Sequence, residues 1–265
     1  MPKIGICGIS GRMGRTTLRI LIEGGHTLGA AFEIEGSSEI GRDAGCLIGQ
    51  DRLNIQINAI NERDVSEVDG IIDFSAPEAS LRLLAIAKDL KKPIVICTTG
   101  FSDDERRQIE EASNEIPLIF SPNTSLGVNL LFRLTEMVSK VLKTSYDIEI
   151  FEAHHRFKKD APSGTARRLF EIVKESDTEL NGISEIYDRS SRVQQREDGE
   201  VGVMAMRGGD IVGEHTVYFI GMGERIELTH RMFNREAFAR GAVLGIEYLV
   251  NKEPGSYNMF EVLGI

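Results

Sequence analysis

The sequence predicts an α/β protein that begins with a doubly wound parallel sheet and continues into a second α+β domain with an open mixed or antiparallel sheet. Two observations support this prediction. Through the first half of the chain, short apolar runs alternate with longer amphipathic segments. After about Ser125 this alternation gives way to long helical segments and then to alternating polar and apolar residues. A chain of 265 residues, 41% of them hydrophobic, suffices for one large domain or two smaller ones.

The first half predicts five buried strands and three helices. The strands are brief and rich in β-branched or aromatic residues: Ile4–Cys7, Leu28–Phe32, Ile71–Phe74, Ile94–Cys97 and Leu118–Phe120. The helices have apolar residues at spacings of three and four: Met13–Glu23, Pro77–Leu90 and Asp103–Asn114. Ser102 and Glu105 have the spacing of a capping box, and Pro77 suits a first helical turn. Such alternation predicts a parallel sheet covered by helices on both faces.

The second half predicts a different kind of domain. Its expected elements are a helix over Gly127–Leu142, a strand over Asp147–Ala153, a helix from Thr165 to about Glu175, and antiparallel strands over Val201–Met206, Thr216–Ile220 and Arg225–Thr229. We expect a turn at Gly221–Gly223 and a mobile polar loop over Asp188–Gly199. The last helical pattern, Glu236–Val250, fits either domain.

Composition excludes several classes of function. The 31 Lys and Arg against 41 Asp and Glu give a net charge of −10, which argues against nucleic-acid binding and against adsorption to anionic membranes. Three scattered cysteines (Cys7, Cys46 and Cys97) predict neither a disulfide framework nor a metal site. We find no apolar run of membrane-spanning length and no leader-like N-terminus, so we expect a cytoplasmic protein.

A glycine-rich loop follows the first predicted strand and opens the first helix. Its residues are Gly8, Ile9, Ser10, Gly11, Arg12 and Met13, with Gly14 completing a Gly-x-x-Gly-x-x-Gly spacing. This is where a Rossmann-like fold binds the pyrophosphate of a dinucleotide, although a tight strand–helix turn would also explain the glycines. Glu33, at the end of the second strand, is placed to bind the adenosine ribose. Because Ile34 follows it instead of an arginine, we expect NADH to serve at least as well as NADPH, with Arg12 and Arg15 compensating in part.

Two more loops follow strands of the same predicted sheet. They are Cys97, Thr98, Thr99 and Gly100, and then Ser121, Pro122, Asn123 and Thr124. Ligands of open α/β sheets bind beyond the carboxyl ends of the strands, so we expect both loops to contact the cofactor. Ordinary turn formation is the alternative for each loop alone.

A basic segment in the second domain contains the densest chemistry of the chain. It comprises His154, His155, Arg156, Lys158 and Lys159, followed by Ser163, Gly164 and Thr165 at the start of a helix. Adjacent histidines on an extended chain point to opposite sides, which argues against a shared metal. One imidazole suits a proton donor, while the other, with a lysine, suits a carboxylate, and the helix start suits a second carboxylate. The alternative is a solvated basic loop with a helix cap.

These motifs together resemble the dihydrodipicolinate reductase family. The resemblance rests on Gly8–Arg15, Thr98–Gly100, Gly208–His215 and above all Glu152–Thr165, and it extends over nearly the whole chain. It implies that a nicotinamide cofactor, NADH or NADPH, delivers hydride to a small cyclic dicarboxylate, 4-hydroxy-tetrahydrodipicolinate. Water is lost and tetrahydrodipicolinate forms, in the diaminopimelate route to lysine. It also implies a homotetramer assembled through the sheet of the second domain.

The resemblance assigns roles residue by residue. It implies that His154 is the general acid, that Lys158 is its catalytic partner, and that His155, Gly164 and Thr165 contact substrate carboxylates, to which we add Ser163. Gly8 to Met13, Glu33, Cys97 to Thr99 and Ser121 to Thr124 match the family's dinucleotide contacts. We therefore expect residues 1–126 and 235–265 to form the dinucleotide-binding domain, and residues 127–234 the substrate-binding and oligomerisation domain.

Two other functions remain open on the sequence. The first is another Rossmann-fold amino-acid or diamino-acid dehydrogenase, which would share the glycine loop without needing the segment from Lys158 to Thr165. The second is a catalytically silent nicotinamide-binding sensor, which the retention of His154 and Lys158 argues against.

Overall fold

The computed structural model describes residues 1–50, 52–142, 145–176, 183–190 and 193–265. Within these residues the chain forms two compact units. The first unit comprises residues 1–126 and 235–265, and the second comprises residues 127–234.

The described residues of the first unit form a seven-stranded parallel sheet. Its strands are β1 (Lys3–Cys7), β2 (Thr27–Glu33), β3 (Ile57–Ala59), β4 (Gly70–Asp73), β5 (Ile94–Ile96), β6 (Pro117–Phe120) and β12 (Gly255–Tyr257). They lie in the order β12-β6-β5-β4-β1-β2-β3. The central strands β1, β4 and β5 are almost entirely buried because helices cover both faces.

The helices of this unit are α1 (Arg12–Glu23), α2 (Glu62–Ser66), α3 (Pro77–Asp89), α4 (Asp103–Ala112), α7 (Glu236–Leu249) and α8 (Met259–Leu263), with a short 3₁₀ helix at Ala44–Ile48. One apolar core, with α1 and α7, lies on one face of the sheet, and a second, with α3 and α4, lies on the other. The doubly wound prediction is therefore confirmed. The capping box of Ser102 and Glu105 and the proline in the first turn of α3 are confirmed as well.

The predicted strands and helices of this unit occur with ends shifted by one or two residues. Sequence reasoning missed β3, α2, β12 and α8, each of three to five residues, because so short a segment shows no measurable periodicity. The last predicted helix is α7, which packs against α1 and the central strands of the first unit.

Among its described residues, the second unit has a five-stranded sheet and two helices. Its strands are β7 (Asp147–His154), β8 (Ser184–Ile186), β9 (Glu200–Arg207), β10 (Gly213–Gly221) and β11 (Glu224–Met232), in the order β11-β10-β7-β9-β8. Helix α5 spans Leu126–Leu142, beginning at the last residue before the unit's boundary, and α6 spans Gly164–Ser176. The prediction of a second α+β domain with a mixed sheet is confirmed.

The predicted antiparallel arrangement of Val201–Met206 is wrong. These residues lie in β9, which runs parallel to both β7 and β8. A parallel pair needs a crossover connection, and α6 supplies it between β7 and the β8–β9 pair. Strands β10 and β11 are antiparallel as predicted, and their hairpin turns at Met222 and Gly223, where Gly223 has a φ of +98°.

The predicted loop over Asp188–Gly199 contains no helix or strand among its described residues, and residues 191 and 192 lie outside them. Two of its arginines bind carboxylates of β7. Arg189 makes two hydrogen bonds to Glu149, of 2.9 and 2.8 Å, and Arg196 Nη1 donates to Asp147 at 2.6 Å. The mobility of this loop stays a prediction. In the part of the chain that the structure describes, no helix has the length and apolar character needed to cross a membrane.

Candidate functional site

The glycine loop joins β1 to α1 in a path that only glycine permits at two positions. Gly8 has a φ of +72°, and a Cβ on it would lie 2.5 Å from the carbonyl oxygen of Phe74. A Cβ on Gly14, inside α1, would lie 2.2 Å from the carbonyl oxygen of Gly8. The N-cap of α1 is Gly11, which has no side chain to cap the helix. Such a helix start presents backbone N–H groups and a partial positive charge to an anion, so the loop fits a pyrophosphate.

The other predicted residues of this loop divide into exposed and buried groups. Arg12 is exposed at the first turn of α1, whereas Met13 packs partly against the core. Ile9 is fully buried in that core, so only its backbone is available to a ligand. Arg15, considered above as a compensating cation, donates from Nε to the carbonyl oxygen of Ser10 at 2.8 Å.

Glu33 connects the end of β2 to the glycine loop. Its Oε2 accepts hydrogen bonds from the backbone N–H of Ser10 at 3.0 Å and from the Ser10 hydroxyl at 2.5 Å. Its Oε1 accepts from the backbone N–H of Ile34 at 3.0 Å. The carboxylate is therefore held at the mouth of the loop, where a ribose hydroxyl is expected to bind.

A cavity of about 170 Å³ adjoins Glu33. Its walls include the apolar side chains of Ile34, Ile60, Ala76 and Ala79, together with Arg82 and further carboxylates. Apolar walls with a few polar groups at the edge suit a flat heteroaromatic base. Sequence reasoning missed Arg82, whose Nη1 donates to Glu35 Oε1 at 2.5 Å, because it lies inside α3, far along the chain from Glu33.

The loop after β5 is anchored through a buried carboxyl group that sequence reasoning also missed. Thr98 Oγ1 donates to Asp73 Oδ2 at 3.0 Å and accepts from the backbone N–H of Ser75 at 3.0 Å. Asp73 is fully buried at the end of β4, and its burial raises the pKa of its carboxyl group. Cys97 is buried and Thr99 is exposed. The Thr98 side chain thus shapes the loop, which leaves its backbone and Thr99 for a cofactor.

The loop after β6 is a turn packed on α7. Ser121 Oγ donates to the carbonyl oxygen of Asn123 at 2.9 Å, and Asn123 Oδ1 accepts from the backbone N–H of Ser125 at 3.0 Å. Thr124 is buried and donates from Oγ1 to the carbonyl oxygen of Phe238 at 2.7 Å, whereas Pro122 is exposed. Because the strands are parallel, this loop, the loop after β5, Glu33 and the glycine loop lie along one edge of the sheet.

In the second unit, His154 ends β7 with its two ring nitrogens in different surroundings. Nδ1 lies 2.6 Å from Glu152 Oε2, two residues earlier on the same face of the strand. Nε2 faces Gly213 at the start of β10, where a Cβ would lie 3.2 Å from it. The ring therefore has one nitrogen bound within the protein and the other beside a position without a side chain.

Glu152 is fully buried and accepts several hydrogen bonds. Arg207 at the end of β9 donates to both carboxylate oxygens, at 2.8 and 2.7 Å, and the backbone N–H of Ser163 donates at 3.0 Å. Burial alone raises the pKa of Glu152, but the hydrogen bonds from His154 and Arg207 outweigh it and hold that pKa at about 2. Glu152 is therefore ionised at neutral pH. Sequence reasoning named it only within the motif and missed Arg207.

The loop after His154 brings a lysine to the same end of the sheet. Lys158 Nζ lies 3.0 Å from Asp160 Oδ1. Burial raises the pKa of Asp160, but its bond to Lys158 lowers that pKa overall. Two backbone hydrogen bonds tie this part of the chain to the residues just after β9. The N–H of Gly208 donates to the carbonyl oxygen of His154 at 3.0 Å, and the N–H of Arg156 donates to that of Gly209 at 3.2 Å. The ring centroids of His155 and Phe157 are 6.3 Å apart, and the Phe157 ring is exposed.

Ser163 is buried and serves the protein with its side chain. Its Oγ accepts from the backbone N–H of Ala166 at 3.2 Å, which caps α6, and lies 3.0 Å from His215 Nε2. Gly164, the first residue of α6, is exposed, and a Cβ there would meet no described heavy atom within 4 Å. The helix start at Gly164 and Thr165 thus fits an anion, whereas the Ser163 hydroxyl is already used.

Comparison with known families decides what kind of protein carries these features. The family model "Dihydrodipicolinate reductase, N-terminus" matches residues 2–124, and "Dihydrodipicolinate reductase, C-terminus" matches residues 127–263. The chain belongs to the dihydrodipicolinate reductase family. The resemblance inferred from the motifs is thereby confirmed. As a member of this family the chain is an oxidoreductase, and the family's reduction is a step of lysine biosynthesis.

Relatives and solved structures agree with this membership. The chain is 44% identical over 266 residues to the 4-hydroxy-tetrahydrodipicolinate reductase of Geobacter sulfurreducens, covering 100% of both chains. It is 44% identical over 263 residues to that of Cupriavidus pinatubonensis, covering 99% of both. A dipicolinate-bound dihydrodipicolinate reductase from Paenisporosarcina has the same fold, with a TM-score of 0.76 at 21% identity and 98% coverage of each chain.

Among the residues that the structure describes, His, Cys, Asp and Glu form no group of three or more that could hold a metal ion.

Proposed function

We propose that this chain reduces 4-hydroxy-tetrahydrodipicolinate to tetrahydrodipicolinate with loss of water, using NADH or NADPH. The observation that carries the proposal is the arrangement at the end of β7, where His154 binds the ionised Glu152 while Lys158 and the start of α6 follow in the same segment. A proton donor beside two anion-binding groups suits the reduction of a cyclic dicarboxylate.

The first unit would hold the cofactor. The glycine loop from Gly8 to Met13 would bind the pyrophosphate, Glu33 the adenosine ribose, and the loops at Cys97–Thr99 and Ser121–Thr124 the nicotinamide end. A bound nicotinamide supplies the hydride. The steric demands at Gly8 and Gly14 and the cavity beside Glu33 support this assignment.

The second unit would bind the substrate. Lys158 and His155 would hold one carboxylate, and the backbone of Gly164 with Thr165 would hold the other. Ser163 would act by capping α6 and by contacting His215. It would therefore not make the direct contact with a substrate carboxylate that its sequence position predicts. The dipicolinate bound to the Paenisporosarcina enzyme is a cyclic dicarboxylate, which supports this choice of substrate.

His154 would supply the proton, and Lys158 would stabilise negative charge that develops on the substrate. Proton transfer from a positioned side chain contributes typically about 10²–10⁴-fold to a rate. Lys158 must exchange Asp160 for a substrate carboxylate, which a loop lysine with a flexible stem can do.

We propose that NADH serves at least as well as NADPH. The cavity beside Glu33 is lined by three carboxylates, Glu33, Glu35 and Glu78, against a single arginine. That arginine, Arg82, already binds Glu35. A 2′-phosphate would therefore meet net negative charge at this position.

We further propose that the protein is a cytoplasmic homotetramer without nucleic-acid or membrane partners. On α5, four exposed apolar side chains (Leu130, Leu134, Met137 and Val141) recur at spacings of four and three and form one stripe. β11 is an edge strand of the sheet. An exposed apolar stripe and an edge strand are each features through which further copies of the chain can assemble.

A coupled assay tests the reaction. The preceding synthase would generate the substrate in place from pyruvate and aspartate semialdehyde, and the fall in nicotinamide absorbance would be followed with NADH and then with NADPH. We expect oxidation that requires both the synthase and this protein. Binding of both cofactors without oxidation would refute the proposal. An amino-acid or diamino-acid dehydrogenase would instead oxidise its own substrates with NAD(P)⁺ and ignore the synthase product.

A further inference from the structure

Glu152, with Arg207 bound to it, lies at Nδ1 of the His154 ring, whereas Gly213 lies at Nε2. Neither Glu152 nor Arg207 is among the residues assigned above to the substrate or the cofactor. We propose that Glu152, held by Arg207, is the positioning residue of His154. Its carboxylate fixes the imidazole with the proton on Nδ1 and leaves Nε2 as the atom that gives up the transferred proton. The inference rests on the proposed function for the role of His154 and goes beyond it in assigning the proton-bearing atom.

The geometry leaves Glu152 little freedom. Its Oε2 lies 2.6 Å from His154 Nδ1 and accepts from Arg207 Nη1 at 2.8 Å. Its Oε1 accepts from Arg207 Nη2 at 2.7 Å and from the backbone N–H of Ser163 at 3.0 Å. The side chain of Glu152 is 0% exposed and that of His154 is 11% exposed. Donors from β7, β9 and the start of α6 therefore fix the carboxylate, and the carboxylate fixes the ring.

An ionised carboxylate can only accept hydrogen bonds, so the neighbouring imidazole nitrogen must be the donor. A neutral imidazole with hydrogen on Nδ1 has a bare Nε2, and its protonated form carries the second hydrogen on Nε2. The two hydrogen bonds from Arg207 stabilise the Glu152 carboxylate against protonation. A carboxylate without Arg207 would compete with Nδ1 for the proton.

The step is a simple proton transfer. The Nε2–H bond of the protonated His154 breaks, its electron pair stays on Nε2, and the proton passes to the ring position made electron-rich by hydride addition. The imidazole remains neutral with its hydrogen on Nδ1, donated to Glu152. Solvent then protonates Nε2 again, so the charge and atoms of the site are restored.

Glu152→Gln is the informative substitution because it keeps the shape and removes the charge. The glutamine amide can adopt two orientations, and in both of them its NH₂ group faces an N–H of Arg207. If the NH₂ group takes the position of Oε1, it also faces the backbone N–H of Ser163, and that hydrogen bond is lost. If it takes the position of Oε2, it can donate a hydrogen bond to His154 Nδ1. The substituted side chain therefore adopts the second orientation and forces the hydrogen of a neutral His154 onto Nε2, the opposite tautomer.

Glu149→Gln is a matched control on the same strand. Glu149 also makes two hydrogen bonds to one arginine, Arg189, but it is three residues from Glu152 and thus on the opposite face of β7. Its substitution removes a comparable charge pair without touching His154.

The test combines a spectrum of the ligand-free protein with steady-state kinetics. Histidine labelled with ¹⁵N reports the tautomer of each ring at about pH 9, where an ordinary imidazole is neutral, and His154→Asn identifies the His154 signals. We expect hydrogen on Nδ1 in the wild type and in Glu149→Gln, and on Nε2 in Glu152→Gln. We expect kcat to fall about 10²-fold in Glu152→Gln, with cofactor affinity unchanged, and to remain within about twofold in Glu149→Gln.

Each outcome has one meaning. A wild-type His154 with hydrogen on Nε2 overturns the inference without any variant, and so does a Glu152→Gln protein that keeps both the wild-type tautomer and kcat. If the wild type does not turn over the synthase product, the proposed function fails, whereas the tautomer measurement still decides the positioning role of Glu152.

Discussion

The imidazole rings of His154 and His215 meet edge to face, with their centroids 5.2 Å apart and their planes inclined by 74°. The two rings have different surroundings. His154 binds the ionised Glu152, whereas His215 is buried, with Nε2 near the Ser163 hydroxyl. Burial first, and then the neighbouring positive charge of His154, lowers the pKa of His215 to about 3. His215 therefore stays neutral at neutral pH and packs against the ring of His154.

The first prediction concerns stability against pH. The folded His215 has a pKa of about 3 and the unfolded one its ordinary value of 6.5, so the unfolded chain binds the extra proton between these values. The free energy of unfolding should therefore fall by about 2 kcal/mol from this residue as pH drops from about 7 to 5. His215→Gln should flatten the pH dependence of urea unfolding over that range. Burial also lowers the pKa of His230, so this residue too makes the free energy of unfolding fall as the pH drops. This contribution is the same in the wild type and in His215→Gln. Parallel slopes in the two proteins would contradict the prediction.

The second prediction concerns Gly213. A Cβ at this position would lie 3.2 Å from Nε2 and 3.5 Å from Cδ2 of His154, so Gly213→Ala should displace the ring. We expect kcat to fall about 10-fold with unchanged affinity for NADH, because small displacements of a catalytic group have large effects on rate. Gly208→Ala is the control, since a Cβ on Gly208 meets no described heavy atom within 4 Å. Equal kcat values for the two variants would refute the steric argument.

The third prediction concerns His154 as the proposed proton donor. His154→Ala should lower kcat by about 10²–10⁴-fold, because proton transfer from a positioned side chain contributes a factor of about this size. The dissociation constant for NADH, measured by fluorescence titration, should change much less. Near-normal turnover would remove His154 from the role of general acid.

The fourth prediction concerns Lys158. Lys158→Ala should lower kcat and raise KM for the substrate, because the charge acts in both the bound state and the transition state. The effect is increased by Asp160, whose carboxylate loses its partner and remains near the substrate. Lys159→Ala, at the exposed neighbouring position, should leave both constants close to those of the wild type. An unchanged KM in Lys158→Ala would exclude the substrate-binding half of its role.

The fifth prediction concerns cofactor choice. Glu35→Gln releases Arg82 from its ion pair and removes one carboxylate from the cavity beside Glu33. We expect the affinity for NADPH to rise up to about fivefold, a size typical of exposed ion pairs, with little change for NADH. Glu39→Gln breaks a comparable pair with Arg42 and serves as the control. If both variants changed the NADPH affinity alike, Arg82 would have no part in the preference.

The parts of the fold that could be predicted are those with a clear pattern of apolar residues along the chain. The strands with continuous apolar runs, such as Ile94–Ile96, were found because burial on both faces requires apolar residues throughout. The direction of β9 was not predictable, because alternation of inward and outward side chains is the same in parallel and antiparallel strands. The short strands β3 and β12 gave no signal of either kind.

The candidate site was predictable as segments but not as contacts. The motifs predict that Ile9, Thr98 and Ser163 lie in ligand-binding loops. They do not predict that Ile9 is buried, that Thr98 binds Asp73 or that Ser163 caps α6. Side chains that complete the site come from distant parts of the chain. Arg207 is 55 residues from Glu152 and His215 is 52 residues from Ser163, and only the sheet pairing brings them together.

The first unit is assembled from both ends of the chain, and this affects its synthesis. α7 contributes Ala242, Ile246 and Leu249 to the core around Ile4, and β12 pairs with β6 at the edge of the sheet. All residues of the second unit leave the ribosome before any of these, and in one continuous stretch. The unit with the glycine loop begins synthesis first but has its complete core last, so its early strands must wait with apolar surface uncovered. The face of the early strands that α7 covers is therefore exposed to aggregation until α7 has been synthesised.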